Sequence, residues 1–211
     1  SGEWNGPCVL SGTANVIYIG GGTYAPLQVG VKIGDKTHSL TLKDSAKLYC
    51  LQDSDSPASS SVSGLELFNN APLVLQDNSY LEAKGKPSSG EYVGCGIATN
   101  SSIRVTDNAE IKAAAQSVAI DAGGAVTISG GKVTANSTGS NGIYSGKTIA
   151  ISNGATVEAA GYLPALFAQS GVEISSSRVD ASASNDVAIF SRDTVNIQNS
   201  IVKTQTPDGN D

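Results

Sequence analysis

The sequence predicts an all-β fold, a single-stranded parallel β-helix in which about eight rungs of three short strands stack as a solenoid. Three observations predict it: a 23-residue repeat, columns of like residues down that repeat, and a composition suited to strands and tight turns. The repeat is plainest in SIRVTDNAEIKA (102–113), AVTISGGKVTA (125–135), TIAISNGATVEA (148–159), GVEISSSRVDA (171–181) and TVNIQNSIVKT (194–204). Their first apolar residues, Ile103, Val126, Ile149, Val172 and Val195, are each 23 apart. A fixed period of this length decides the architecture before any local propensity does.

Down the repeat, each position keeps one character. The first strand contributes Leu40, Leu73, Ile103, Val126, Ile149, Val172 and Val195; two places on come Leu42, Leu75, Val105, Ile128, Ile151, Ile174 and Ile197, with mostly polar residues between. That alternation marks a half-buried strand. A turn follows at Asp44, Asp77, Asp107, Gly130, Asn153, Ser176 and Asn199, types that tolerate the left-handed region or bond their own backbone. The second strand supplies Leu48, Leu81, Ile111, Val133, Val157, Val179 and Val202, then Cys50 and a run of alanines from Ala83 to Ala181, where only small side chains fit. A third strand is placed at Leu67, Ile97, Ile120, Ile143, Leu166 and Ile189, six residues before each next rung. Strands this short bury an apolar face only if successive rungs stack about 4.8 Å apart around one interior.

Leu40, Leu73 and Ile103 are 33 and 30 residues apart, so two early rungs carry insertions. These are the polar stretches Asp53–Ser61 and Lys84–Glu91, of loop composition. Ile17, 23 residues before Leu40, is expected to open the first rung. The expected division is an N-terminal cap over 1–15, containing Trp4 and Cys8, a parallel β-helix domain over 16–204 and a C-terminal tail or linker over 205–211.

Glycine is abundant (24 residues), methionine is absent, and Val, Ile, Leu and Ala dominate the apolar set, a mix that favours short strands over long helices. A net charge of −6 leaves no basic footprint for phosphates, which argues against nucleic acid as a partner. No window of 18 apolar residues exists for membrane insertion. Cys8, Cys50 and Cys95 have no metal or redox spacing and read as small buried hydrophobes.

The columns together resemble the right-handed parallel β-helices of the pectate-lyase-like superfamily, over roughly residues 16–204. Segments 126–135 and 151–159 are similar to repeats in cell-surface and carbohydrate-binding β-helix domains of Gram-positive bacteria. The resemblance implies a right-handed single-stranded parallel β-helix and an extracellular or cell-surface location, with any signal peptide or wall anchor outside these residues. It specifies fold better than function, since such repeats keep only turn and core columns. The Asn-Thr-Asp, Asp-Asp, Gly-His-Gly and Arg-Ile-Lys signatures of the polygalacturonase branch are absent, as is the Asp-His motif of pectate lyases.

Three places can hold chemistry. Asp44, Asp77 and Asp107 share one turn column, and a bound calcium, which takes about six to eight oxygens, would offset their repulsion; solvated turn caps are the alternative. Phe68, Ala98, Asp121, Tyr144, Phe167 and Phe190 form the column after the third-strand core residue. Asp121 argues that this column faces outward, which exposes Phe68, Tyr144, Phe167 and Phe190 beside the small residues Ala119, Gly142, Ala165 and Ala188. Rings next to flat backbone suit stacking on sugar faces, and packing under a loop or a subunit contact is the alternative. The outward second-strand face carries mixed charges, among them Glu82, Glu110 and Lys112; Lys112 with Asp107 is the nearest counterpart to the base and calcium of a lyase, and Glu82 with Glu110 to a hydrolase pair. His38, the only histidine, has no nucleophile motif beside it.

The function expected is a noncatalytic extracellular carbohydrate-binding or adhesion module on a rigid β-helix, its partner a polysaccharide or cell-surface glycan. A calcium-dependent polysaccharide lyase and a purely structural surface stalk are the alternatives. A homo-oligomer through an exposed helix end or the aromatic flank is the further association that the pattern admits.

Overall fold

A computed structural model of the chain describes residues 2–4, 7–20, 27–29, 39–52, 62–85 and 94–206. These residues form 22 strands and no helix, and two sheets of 14 and 8 strands contain them all. None of the described residues forms a helix long and apolar enough to cross a membrane. Every strand pairing is parallel.

The larger sheet joins the first and second strands of each repeat. Its first-strand path runs from Cys8–Leu10 through Leu40–Leu42 and Leu73–Leu75 to Thr194–Gln198, and the second strands, from Asn15–Gly20 to Ile201–Gln205, pair alongside. In Ile103–Ala115 and Val126–Ser137 the two are one strand with a register shift between Asp107 and Glu110. The smaller sheet orders the third strands from Gly2–Trp4 to Ile189–Ser191. Ile103 pairs with Val126, Val126 with Ile149, Ile149 with Val172 and Val172 with Val195, the register that a 23-residue period requires.

The turn column behaves as its residue types dictate. Asp44, Asp77, Asp107, Gly130, Asn153, Ser176 and Asn199 all hold positive φ, between 48° and 79°. A side chain in this region is strained by about 1–2 kcal/mol, least for Asn and Asp, and Gly130 escapes the penalty. The register of the larger sheet thus turns the same corner in every repeat.

Two sequence expectations shift. The first repeat opens at Cys8, not Ile17: Cys8–Leu10 pairs with Leu40–Leu42, whereas Ile17 pairs with Tyr49, faces outward and is 62% exposed. Counting back 23 residues fails because Cys8 and Leu40 are 32 apart, so this repeat also carries extra residues. In the third-strand sheet, Leu65 rather than Leu67 pairs with Ile97, and Glu66 rather than Phe68 pairs with Ala98. The cause is a two-residue excess absorbed by Asn69 and Asn70, both left-handed (φ 53° and 59°), in a turn closed by the Ala71 N–H donating to the Phe68 carbonyl at 3.0 Å. Of the expected insertions, 53–61 and 86–91 lie outside the described residues, whereas Lys84 ends the strand Tyr80–Lys84.

Inward positions of all three strand types form one continuous apolar cluster from Leu27 to Ala188. The column of Ala119, Gly142, Ala165 and Ala188 is buried, so it is an interior position and not a flat surface beside the rings. A Cβ on Gly142 would meet the Ala165 and Ala160 carbonyl oxygens at 2.8 and 2.9 Å, which explains why nothing larger than alanine stands there. Since each core side chain packs against its own equivalents above and below, Leu73→Ala is expected to cost about 3 kcal/mol of unfolding free energy. Urea denaturation reads this as a lower midpoint; an unchanged midpoint would show that the column is not close-packed.

Candidate functional site

The acidic turn column is occupied by backbone. Asp44 Oδ2 accepts the Gly12 N–H at 2.8 Å, Asp77 Oδ2 the Asp44 N–H at 2.9 Å and Asp107 Oδ2 the Asp77 N–H at 3.2 Å. Each carboxylate therefore satisfies the amide of its equivalent in the preceding repeat, where the left-handed turn leaves the sheet ladder. Thr106 Oγ1 also donates to Asp107 Oδ2 at 2.9 Å. Among the described residues no three His, Cys, Asp or Glu side chains converge as a metal cage. The donor set at Asp44, Asp77 and Asp107 does not fit calcium, because one oxygen of each is committed to an amide and the groups do not surround a common point.

On the third-strand sheet, the outward column is Glu66, Ala98, Asp121, Tyr144, Phe167 and Phe190. Phe68 falls outside it and instead walls a notch of about 190 Å³ over Ala98, with Glu66 and Asp121 at its two ends. Tyr144 and Phe167 stack at 5.3 Å with planes 15° apart, Phe167 and Phe190 at 5.1 Å and 23°. Rings one strand spacing apart cover one another's faces, so Phe167 has neither face open and offers only its edge. Stacking of a sugar face on each ring is thus not what this arrangement provides; the ladder is a cross-strand contact that stabilises the sheet. Burial raises the Asp121 carboxyl above the usual aspartate range, and the Cys95 thiol lies 4.0 Å from its Oδ2.

The outward face of the second strands holds the densest polar network. Tyr80 donates to Glu82 Oε2 at 2.8 Å, stacks obliquely on Tyr49 at 5.4 Å, and lies 5.3 Å beneath the Lys112 ammonium. Burial and the neighbouring Glu82 push the Tyr80 hydroxyl pKa up. Burial also acts to raise Glu82, but the hydrogen bonds from Tyr80 and Lys84 outweigh it and hold that carboxyl low. Ion pairs follow along the stack: Lys84–Glu82 at 3.1 Å, Lys112–Glu110 at 3.5 Å, Lys132–Glu158 at 3.4 Å and Arg178–Asp180 at 2.6 Å. Lys112 and Asp107, and likewise Glu82 and Glu110, are each held by other partners.

Beside this network runs a column that the sequence reading passed over: Lys84, Ala114, Asn136, Ala160, Ser182 and Gln205, in continuous register. Its small members leave three adjoining concavities of about 160, 540 and 610 Å³, all touching Asn136. The signal was present two places beyond the second-strand charges, as a column neither aliphatic nor bulky.

All three cysteines are free, Cys50 buried and Cys8 and Cys95 partly so. Burial pushes the Cys50 thiol to about 12; burial and the Asp121 carboxylate do the same for Cys95. Neither is a thiolate nucleophile at neutral pH. His38 and residues 86–93 lie outside the described residues.

Comparison with protein-family models, curated proteins and solved structures finds no match to this chain.

Two expected outcomes test these assignments. Asp77→Ala removes the acceptor for the Asp44 amide and places alanine in a left-handed turn, for a loss of about 2–3 kcal/mol by urea denaturation, whereas Asp77→Asn keeps both features and loses less. Equal losses would refute the carboxylate–amide assignment. For Asp121, a raised folded-state pKa means ionisation disfavours the native state: the cost is absent below the usual aspartate range and complete above the raised value. Asp121→Asn is therefore expected to gain stability relative to the parent as pH rises through that window, and a difference that does not vary with pH would contradict it.

Proposed function

We propose that the chain coils as a right-handed parallel β-helix and serves, outside the cell, as a noncatalytic carbohydrate-binding or adhesion module. The supporting observation is the unbroken parallel register from Leu73 to Thr194–Gln198, which repeats each outward side-chain position at the inter-strand spacing along one axis. A surface periodic in one dimension suits a ligand that is itself a linear repeat, and polysaccharides are the extracellular polymers of that kind. The polar outward columns are rich in groups that hydrogen-bond to hydroxyls.

The calcium-dependent lyase reading has less support. Its acidic column is committed to backbone amides and its candidate base, Lys112, to Glu110 and the Tyr80 ring. Affinity electrophoresis through gels containing a panel of plant and bacterial polysaccharides tests the proposal, with absorbance of unsaturated product followed in parallel. Retardation by at least one polysaccharide without product is expected. No retardation by any of them, or new absorbance with calcium, would remove the noncatalytic binding assignment.

A further inference from the structure

We infer that the chain associates head to tail, the last repeat of one copy receiving the first repeat of the next, so that both sheets run on across the junction. The inference is independent of the ligand, and its partner is a second copy of this chain.

Exposure of the last repeat is the first argument. Val195 and Ile197 stand in the two inward columns of the first strand, where Val172 and Ile174 are 0% and 1% exposed. They are nevertheless 47% and 46% exposed, because none of the described strands lies beyond them. Among the described residues, Ile189–Ser191, Thr194–Gln198 and Ile201–Gln205 each pair on one side only, and so do Gly2–Trp4, Cys8–Leu10 and Asn15–Gly20 at the opposite end of the stack. Both ends thus leave backbone groups without ladder partners and apolar side chains without a cover. The usual guards of such edges are sparse: the six strands contain no proline and two charged residues, Glu3 and Lys203.

The two ends fit each other. Every pairing in both sheets is parallel, so a second copy carried along the stacking axis presents Gly2–Trp4 to Ile189–Ser191, Cys8–Leu10 to Thr194–Gln198 and Asn15–Gly20 to Ile201–Gln205, all in the parallel sense. The register that the columns keep then sets Val195 against Cys8, Ile197 against Leu10 and Val202 against Val16, apolar on apolar. Like ends could meet only about a two-fold axis, which reverses the order of the strands around the outline. At most one strand would then face its own equivalent, and the inward columns would not continue. Two copies of Lys203 would also share one interface, whereas head to tail the interface takes Lys203 from one copy and Glu3 from the other.

Size is sufficient. Residues 189–205, at about 3.3 Å of strand per residue and with side chains reaching about 5 Å to either side, present roughly 560 Å². The two copies together bury about 1,100 Å², enough for a specific contact and well short of an obligate one. A contact between unlike ends along one axis does not close on itself, so copies add one after another.

Sedimentation velocity and light scattering of the chain over a concentration series test the inference. The weight-average mass is expected to rise at least about twofold above that of the single chain, with species beyond the dimer. Ile197→Asp blocks one end and Leu10→Asp the other, by placing a carboxylate in an apolar junction. Each variant alone is expected to keep the single-chain mass, and an equimolar mixture to stop at about twice that mass, since one intact end of each remains. Circular dichroism and thermal melting verify that each variant is folded. If either is not, amide hydrogen exchange of the parent carries the test: Cys8–Leu10 and Thr194–Gln198 are expected to exchange at least about tenfold more slowly at the top of the series than at the bottom. A parent that stops at the single chain or the dimer, self-association of either folded variant alone, a mixture that keeps the single-chain mass, or slowed exchange confined to one end would overturn the inference.

Discussion

In this chain the nearest neighbours of most side chains are the equivalent residues of the preceding and following repeats. Parallel in-register pairing sets that constraint, because it places like positions one strand spacing apart. Every column must then tolerate its own company. Aliphatic residues do so by packing, and Leu40, Leu73 and Ile103 are each at most 1% exposed. Alanine does so where backbones approach too closely for anything else. Aromatic rings do so by stacking, as Tyr144, Phe167 and Phe190 show.

Carboxylates are the hard case, since three like charges at one spacing repel. Asp44, Asp77 and Asp107 meet it by accepting the amide hydrogen of the previous repeat, so the dipole of one turn compensates the charge of the next. The same left-handed backbone that frees the amide is the conformation Asp adopts at least cost. Turn geometry and electrostatics are one solution here, and no cation is needed to complete it.

Much of this was legible in the residues. The first- and second-strand aliphatic columns and the positive-φ turn follow from period and residue type, and their numbers agree with the observed register from Leu40 onward. What failed was counting through irregular repeats. Ile17 was assigned by a period its repeat does not keep, and Phe68 by a spacing that Asn69 and Asn70 lengthen by two. Patterns of alternation cannot see such offsets when Leu65 and Leu67 are both buried and equally plausible. The aromatic column was found, but whether rings face a ligand or one another depends on plane angles that sequence does not encode. The trough is hard to see in the residues because a groove is made by the absence of bulk.

The carboxylate–amide series also has a direction and an end. Each acid reaches back one repeat and none reaches forward, and the series stops where Gly130 takes the position after Asp107. Repeats beyond that point meet their neighbours through other side-chain contacts, among them Asn153 Nδ2 donating to Ser129 Oγ at 2.7 Å, Ser200 Oγ accepting the Ser177 N–H at 3.2 Å and the stacked Tyr144, Phe167 and Phe190 rings. A tandem duplication of 23 residues between Ile149 and Val195 would keep the strand register and the aliphatic columns. One among the acidic repeats would have to supply both a carboxylate and a receptive amide. Insertion of a whole repeat on the C-terminal side of Gly130 is thus free of the need to match a carboxylate to an amide, a need that the Asp44, Asp77 and Asp107 repeats impose.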